Sequence, residues 1–224
     1  MTPVIFHPWN LTEDAALQLQ VDLASKVEKQ DRFDFIRYIA GADVAYSKES
    51  DKLVAAIVIL DAQTLEVIET ATATTQVEFP YIPGLFSFRE LPPLLKALSK
   101  LKHKPDLIVC DGQGYAHPRR FGLACHLGVI LDLPTIGCGK KRLIGKYQEP
   151  DEQRGSASPL IDENEIIGNV LRTQTNINPV YISIGNRVSL ETACKWILKL
   201  SQKYRLPETT RQADQLVNFL LKTK

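Results

Sequence analysis

The chain has 224 residues, of which 44% are hydrophobic and 24% charged, with a formal net charge of +1. This length suffices for one substantial hydrophobic core, so we expect a single domain over residues 1–224. The small net charge argues against a protein that binds nucleic acid through bulk charge, but it does not exclude a local basic groove. We find no signal-peptide pattern and no apolar run near the ~20 residues of a membrane span. We therefore expect a cytoplasmic protein that does not contact membranes.

The first half of the chain predicts a helix followed by an antiparallel meander. Leu11–Lys29 is amphipathic, with Thr12 as a candidate N-cap and two acids directly behind it. Three apolar, β-rich segments follow, and residues 61–64 form a turn between the last two. These segments are Ile36–Ala45, Leu53–Leu60 and Val67–Val77. Residues 79–88, which contain two prolines and a glycine, predict an irregular loop.

The second half predicts helices alternating with short strands. Arg89–Lys102 is a helix in which Pro92 and Pro93 are tolerated only within the first turn. A strand, a helix and a strand follow, a succession that favours parallel pairing. They are Leu107–Cys110, Phe121–Leu131 and Thr135–Cys138. A surface loop over 148–158, a hairpin and two helices complete the chain. These last elements are Asn169–Gln174 with Val180–Ile184, then Glu191–Tyr204 and Thr210–Lys222.

Three acids occupy positions that a purely structural role explains poorly. Asp111 comes directly after the buried strand Leu107–Cys110, at the strand end where open α/β sheets place ligands. Asp43 interrupts an otherwise apolar strand, and Glu90 opens a predicted helix. Helix starts favour acids for electrostatic reasons alone, and Asp43 by itself is equally consistent with a hydrogen-bonded edge residue. If the three converge, they suit Mg²⁺, which prefers carboxylate oxygens and activates water.

Other candidate residues gain meaning beside such a cluster. His117 alone is a surface histidine, but next to the acids it is a candidate metal ligand or proton donor. Lys140 follows a short strand and belongs to a basic group that is either a solvated face or a set of phosphate contacts. The group comprises Arg119, Arg120, Lys140, Lys141, Arg142 and Lys146. The Pro-rich apolar loop 79–84 is either a packed connection or a wedge that holds a nucleotide out of the base stack.

Five segments together resemble the endonuclease V family. They follow the family's order along nearly the whole chain: 39–47, 79–90, 106–129, 136–143 and 206–214. The resemblance implies a ribonuclease-H-like α/β fold, a central mixed sheet flanked by helices. It also implies Mg²⁺-dependent nicking, with Mn²⁺ as a substitute, at the second phosphodiester bond 3′ to deoxyinosine, without removal of the base. Inosine-containing RNA is left open as a second substrate, and we expect a monomer.

The resemblance also assigns roles to individual residues. The matches to the family's catalytic positions are Asp43, Glu90, Asp111, His117 and Lys140. The matches to its metal site are Asp43, Asp111 and Asp214. The matches to its substrate contacts are Tyr81, Pro83 and Gly84 in the wedge loop, and Gly112, Gly114, Gly137 and Gly139 around the flipped base. Whether His117 binds the metal, orients water or protonates the leaving 3′ oxygen stays open.

Two other functions compete with this interpretation. One is a different ribonuclease-H-like nuclease, such as a junction resolvase or a hybrid-specific ribonuclease, which does not require the Pro-Tyr-Ile-Pro loop beside Glu90. The other is a nucleic-acid-binding protein without catalysis. That protein has no need for Asp43 and Asp111, because their charge repels phosphate in the absence of a metal.

Overall fold

The computed structural model describes residues 1–222, which contain eight strands and five helices. The strands are β1 (Tyr38–Tyr46), β2 (Lys52–Asp61), β3 (Val67–Gln76), β4 (Leu107–Cys110), β5 (Thr135–Gly139), β6 (Ala157–Asp162), β7 (Glu165–Leu171) and β8 (Val180–Asn186). The helices are α1 (Glu13–Ala24), α2 (Phe86–Leu98), α3 (Leu123–Leu131), α4 (Leu190–Leu200) and α5 (Glu208–Lys222). None of the helices in this part of the chain has the length and apolarity needed to cross a bilayer.

All eight strands join one mixed sheet in the order β3-β2-β1-β4-β5-β8-β7-β6. The antiparallel meander predicted for β1, β2 and β3 is confirmed. β4 pairs in parallel with both β1 and β5. Helix α2 precedes β4 in the chain, and helix α3 connects β4 to β5. Parallel neighbours require such a crossover. The predicted α/β class, a central mixed sheet flanked by helices, is confirmed.

Alternate residues of the central strands enter two separate cores. Ala40 and Ala42 of β1 pack with α2 and α3 on one face, whereas Ile39 packs with α4 and α5 on the other. This division follows from the two-residue period of a strand, whose side chains point alternately to opposite faces. Gly41 and Asp43 therefore lie on the face covered by α5, as does Ile39.

The approach of α5 to β1 depends on Gly41. A methyl group at Gly41 would collide with the backbone of Thr209 and lie 2.8 Å from the backbone nitrogen of Thr210. Only a glycine leaves room for the first turn of α5 at this point. Asp43 stands two residues further along the strand, and Asp214 about one turn further along the helix. The same close contact thus brings the two acids toward each other.

Several element bounds differ from the sequence prediction: α1 ends at Ala24 rather than Lys29, β7 is Glu165–Leu171 rather than Asn169–Gln174, and α4 ends at Leu200 rather than Tyr204. Two further differences affect the architecture. Helix α2 begins at Phe86 rather than Arg89, so Pro92 and Pro93 lie in its interior and not in the first turn. The helix continues past them because residues on both sides of the prolines, including Phe88 and Leu94, are buried in the core. Strand β6 was not predicted. It pairs with β7 through a tight turn at Glu163 and Asn164, both with positive φ, which is typical of two-residue hairpins.

We predict that Gly41→Ala lowers the free energy of unfolding by about 1–3 kcal/mol, because the added methyl group forces α5 away from β1. Urea unfolding followed by circular dichroism measures the change. Gly112→Ala is the matched control, since a methyl group there meets its nearest neighbour, Leu123 Cδ2, at an ordinary 3.4 Å. Equal stability of Gly41→Ala and the wild type would contradict the role assigned to this contact.

Candidate active site

The register between β1 and β4 places two acids side by side. Ala42 lies opposite Cys110 in the parallel pair, so the next residues, Asp43 and Asp111, are level with each other. The Asp111 N–H donates to the Ala42 carbonyl over 3.1 Å and extends the pairing to this point. Asp214 reaches the same place from α5. Carboxylate oxygens of Asp43, Asp111 and Asp214 all lie within 4.8 Å of one another.

The surroundings of these acids disfavour their negative charge. Burial, followed by the charge of Asp111, raises the pKa of Asp43 to about 8, although Lys140 and a hydrogen bond from the Val44 N–H oppose the shift. Burial also raises the pKa of Asp111, against the effect of Lys140. A group of acids that repel one another in a partly dehydrated site is stabilised by a bound cation.

Lys140 neutralises part of this charge. Its ammonium group lies 2.5 Å from Asp111 Oδ2 and 3.2 Å from Asp214 Oδ1. Burial alone would lower its pKa, but the hydrogen bond and charge of Asp111, with Asp214 and Asp43, raise the pKa above its ordinary value. One ammonium group faces three carboxylates, so a divalent cation fits the remaining charge. Carboxylate oxygens are the ligands that Mg²⁺ and similar hard cations prefer.

A pocket of about 400 Å³ opens beside the acid cluster. Its size lies within the range of sites that hold small organic groups. Seven of the predicted catalytic and substrate-binding residues line it: Tyr81, Pro83, Gly84, Glu90, Asp111, Gly112 and His117. Asp111 thus belongs both to the pocket wall and to the acid cluster. The remaining predicted catalytic and metal positions, Asp43, Lys140 and Asp214, lie on the cluster side.

Glu90 belongs to the pocket wall rather than to the group of three acids. Its Oε1 accepts a hydrogen bond of 2.9 Å from the Tyr46 hydroxyl. Burial, partly opposed by that hydrogen bond, raises the pKa of Glu90 to about 7. A carboxyl group with this pKa exchanges its proton near neutral pH, which suits a general acid or base.

The glycines predicted to surround the base divide into two sets in the structure. Gly112 lines the pocket, but among the described lining residues Gly114, Gly137 and Gly139 do not occur. They lie beneath it instead. A methyl group at Gly137 would collide with the Gly114 nitrogen, and one at Gly139 with the Gln113 side chain. These glycines let the turn after β4 pack closely against β5 and β8, so they shape the floor of the pocket.

The wedge loop is anchored through the Gly84 carbonyl, which accepts three hydrogen bonds. The donors are Gln20 Nε2 at 2.9 Å, His117 Nε2 at 3.0 Å and Arg119 Nη2 at 3.0 Å. Gly84 has φ +81°, a backbone conformation that favours glycine, and a methyl group there would displace the Arg119 guanidinium from the Gly84 carbonyl. The sequence did not indicate Gln20, since only its complete burial, visible in the structure, distinguishes it from the other polar residues of α1.

The His117 imidazole is neutral, and both of its ring nitrogens form hydrogen bonds. Nε2–H donates to Gly84, so Nδ1 is free to accept the Arg119 N–H at 3.2 Å. Burial, followed by the charge of Arg119, lowers the pKa of His117 to about 4. In this geometry the ring connects the loop after β4 to the wedge loop.

Two arginines of the predicted basic group are committed to internal contacts. Arg119 Nε donates to Gln20 Oε1 at 2.5 Å, and Arg120 pairs with Asp162 and Glu165. They are therefore occupied in holding loops together. Lys141 and Arg142 instead line the pocket, next to Leu143.

Comparison with known proteins gives one family over most of the chain. The family model described as endonuclease V matches residues 21–215. The chain belongs to the endonuclease V family. Endonuclease V of Trichormus variabilis is 49% identical over 213 residues, covering 95% of this chain and 96% of that protein. The crystal structure of endonuclease V from Streptomyces avermitilis is 48% identical and has a TM-score of 0.92, covering 100% of this chain and 99% of that one.

A more distant member was solved with a nucleic acid. Endonuclease V of Ciona intestinalis, 28% identical with a TM-score of 0.82 over 92% of this chain and 96% of that one, was crystallised with a 24mer DNA containing an inosine followed by a ribo-adenosine. The resemblance noted from the sequence is confirmed. The chain is a DNA-repair nuclease of the endonuclease V family that hydrolyses phosphodiester bonds.

We predict that Asp43→Asn stabilises the metal-free protein by about 1–3 kcal/mol, because a neutral amide avoids the cost of either charging or protonating a carboxyl group in this buried acidic site. The same change should abolish most of the stabilisation that Mg²⁺ confers on the wild type. Thermal unfolding with and without Mg²⁺ measures both effects. Asp14→Asn, at an exposed acid of α1, serves as the control. Equal stabilisation of the variant and the wild type by Mg²⁺ would exclude Asp43 as a ligand.

Proposed function

We propose that this nuclease recognises deoxyinosine, the product of adenine deamination, in DNA. It nicks the second phosphodiester bond on the 3′ side of the lesion and leaves the base in place. The observation that carries the proposal is the double position of Asp111, in the acid cluster and in the wall of the adjoining pocket. A base held in the pocket brings a nearby phosphate to the acids. The inosine-containing DNA bound by the Ciona relative supports this choice of ligand.

Recognition requires that the base leave the duplex. Tyr81 is 64% exposed and its ring packs edge-on against Phe86, with centroids 5.0 Å apart. An exposed aromatic residue on an anchored loop can enter the base stack and fill the gap left by a flipped nucleotide. A deaminated base pairs less well than adenine, so its extrusion costs less free energy. Gly112, without a side chain, lets the base edge approach the backbone.

Cleavage depends on a divalent metal ion, which the carboxylates of Asp43, Asp111 and Asp214 would hold. When bound, Mg²⁺ or Mn²⁺ supplies Lewis-acid stabilisation of a phosphoryl group and activates water. Lys140 places a positive charge beside the same acids and offsets charge on the phosphate oxygens. Glu90 can take up or release a proton near neutral pH. His117 acts by positioning the wedge loop, since its two ring nitrogens are bound to backbone groups.

A cleavage panel tests the proposal. Duplex DNA with one inosine, the same duplex with adenine, RNA with one inosine, a four-way junction and an RNA–DNA hybrid are incubated with Mg²⁺, Mn²⁺ or a chelator. We expect metal-dependent nicking of the inosine duplex alone among the DNA substrates, and none by Asp111→Asn. The RNA arm determines whether inosine in RNA is also cleaved. Preferential cleavage of the junction or the hybrid would contradict the proposal and identify that nucleic acid as the substrate.

We predict that Tyr81→Ala weakens binding to inosine-containing duplex by about tenfold or more, because it removes a stacking surface from the wedge loop. Fluorescence anisotropy in the absence of metal measures the affinity. Stabilisation of the variant by Mg²⁺ should match the wild type, since Tyr81 is absent from the described acid cluster. Tyr204→Ala, at another exposed tyrosine, provides the control. Unchanged preference for inosine over adenine in Tyr81→Ala would disprove the wedge role.

A further inference from the structure

A line of hydrogen bonds runs from the pocket wall through the core to the N-terminal segment. Ser87, the second residue of α2, lines the pocket and is 2% exposed. Its Oγ lies 2.9 Å from Nδ1 of His126, a fully buried residue of α3. His126 Nε2 lies 2.8 Å from His7 Nε2. His7 Nδ1 in turn lies 2.9 Å from the Pro8 carbonyl oxygen. We call these three side chains the serine–histidine relay.

The Pro8 carbonyl determines the direction of this relay. A carbonyl oxygen only accepts, so His7 Nδ1 carries a hydrogen. In neutral His7 the other nitrogen, Nε2, is then an acceptor, and His126 Nε2–H must donate to it. His126 Nδ1 is left as an acceptor, and the Ser87 hydroxyl donates its one hydrogen there. With its hydrogen committed, Ser87 Oγ can only accept a further hydrogen bond.

We propose that Ser87 is a specificity-determining residue of the base pocket, whose hydroxyl oxygen accepts a hydrogen bond from a ring N–H of the bound base. This inference rests on the proposed function and names a polar group that reads the base. Hypoxanthine carries a hydrogen on N1, whereas N1 of adenine is a bare acceptor. An oxygen restricted to accepting favours the first and repels the lone pair of the second.

His7 is a positioning residue in this scheme because its Nε2 is the acceptor that holds the His126 hydrogen on Nε2. Without that acceptor His126 can carry its hydrogen on Nδ1 instead and donate to Ser87, whose own hydrogen becomes free to point elsewhere. Ser87 then has no fixed acceptor role, and its match to a ring N–H is lost.

The surroundings of the relay are apolar. The rings of Trp9, Phe88 and Phe121 pack around the two imidazoles and carry no charge. Burial, followed by the nearby His7, lowers the pKa of His126 well below its usual range, so His126 keeps a single hydrogen. The ionisable residues that follow Ser87 along α2 are Arg89 and Glu90.

The first test compares Ser87→Ala with the wild type in binding to single strands that carry inosine or unsubstituted purine, which lacks the N1 hydrogen. Binding is measured with a chelator present, so that cleavage does not interfere. We expect the preference for inosine over purine to fall about tenfold in Ser87→Ala. Ser99→Ala, an exposed serine at the far end of α2, should keep the wild-type preference. Wild-type preference in folded Ser87→Ala would overturn the proposal.

The second test leaves Ser87 in place. The preference for inosine over purine is measured for the wild type, for His7→Phe, which lacks the acceptor for the His126 hydrogen, and for His7→Gln, whose amide oxygen can accept it. We expect the preference to fall several-fold in His7→Phe and to be largely kept in His7→Gln. Wild-type preference in folded His7→Phe would remove His7 from the scheme. Absence of any wild-type preference for inosine over adenine would instead refute the proposed function itself.

Discussion

The rest of the site depends on the parallel register between β1 and β4. It makes Asp43 and Asp111 neighbours in a partly dehydrated place, where like charges repel strongly. Lys140 offsets only part of that repulsion, and Asp214 adds to the negative charge. The close packing of α5 at Gly41 adds this third carboxylate. Repulsion among the three carboxylates therefore destabilises the metal-free protein, and a bound cation would relieve it. The free energy released in this way would contribute to the affinity of the site for the cation.

A second constraint comes from hydrogen bonds to an uncharged group, the Gly84 carbonyl. The Gly84 carbonyl collects donors from α1 and from the loop after β4, and so ties the wedge loop to two distant parts of the chain. His117 serves in this only while uncharged, because its Nδ1 must accept from a backbone N–H. Burial keeps it so. The loop that carries Tyr81 is therefore exposed at its tip and anchored at its base, which is the arrangement that the proposed wedge role requires.

The sequence predicts those features whose cause is local. Strand β4 has the predicted bounds, Leu107–Cys110, because a short apolar run between turn residues has few other interpretations. Asp111 was likewise visible as an acid at the end of that run. Gln20 was not, because its partners lie 64 to 101 positions away and a polar residue on an amphipathic helix gives no signal. For a related reason the sequence does not separate the glycines beneath the pocket from Gly112, since close backbone packing and an open cavity both favour glycine.

The two sides of the site suit two separate chemical tasks. Holding a cation requires full charges, and these lie on the side of Asp43, Lys140 and Asp214. The pocket side is mixed, since Glu90, Lys141 and Arg142 line it beside uncharged groups. Burial lowers the pKa values of His117 and His126, so both imidazoles stay uncharged and keep hydrogen bonds of fixed direction. Under the proposed function this is an advantage, because a protonated imidazole would add a donor and a charge that favour a nearby phosphate over the edge of an uncharged base.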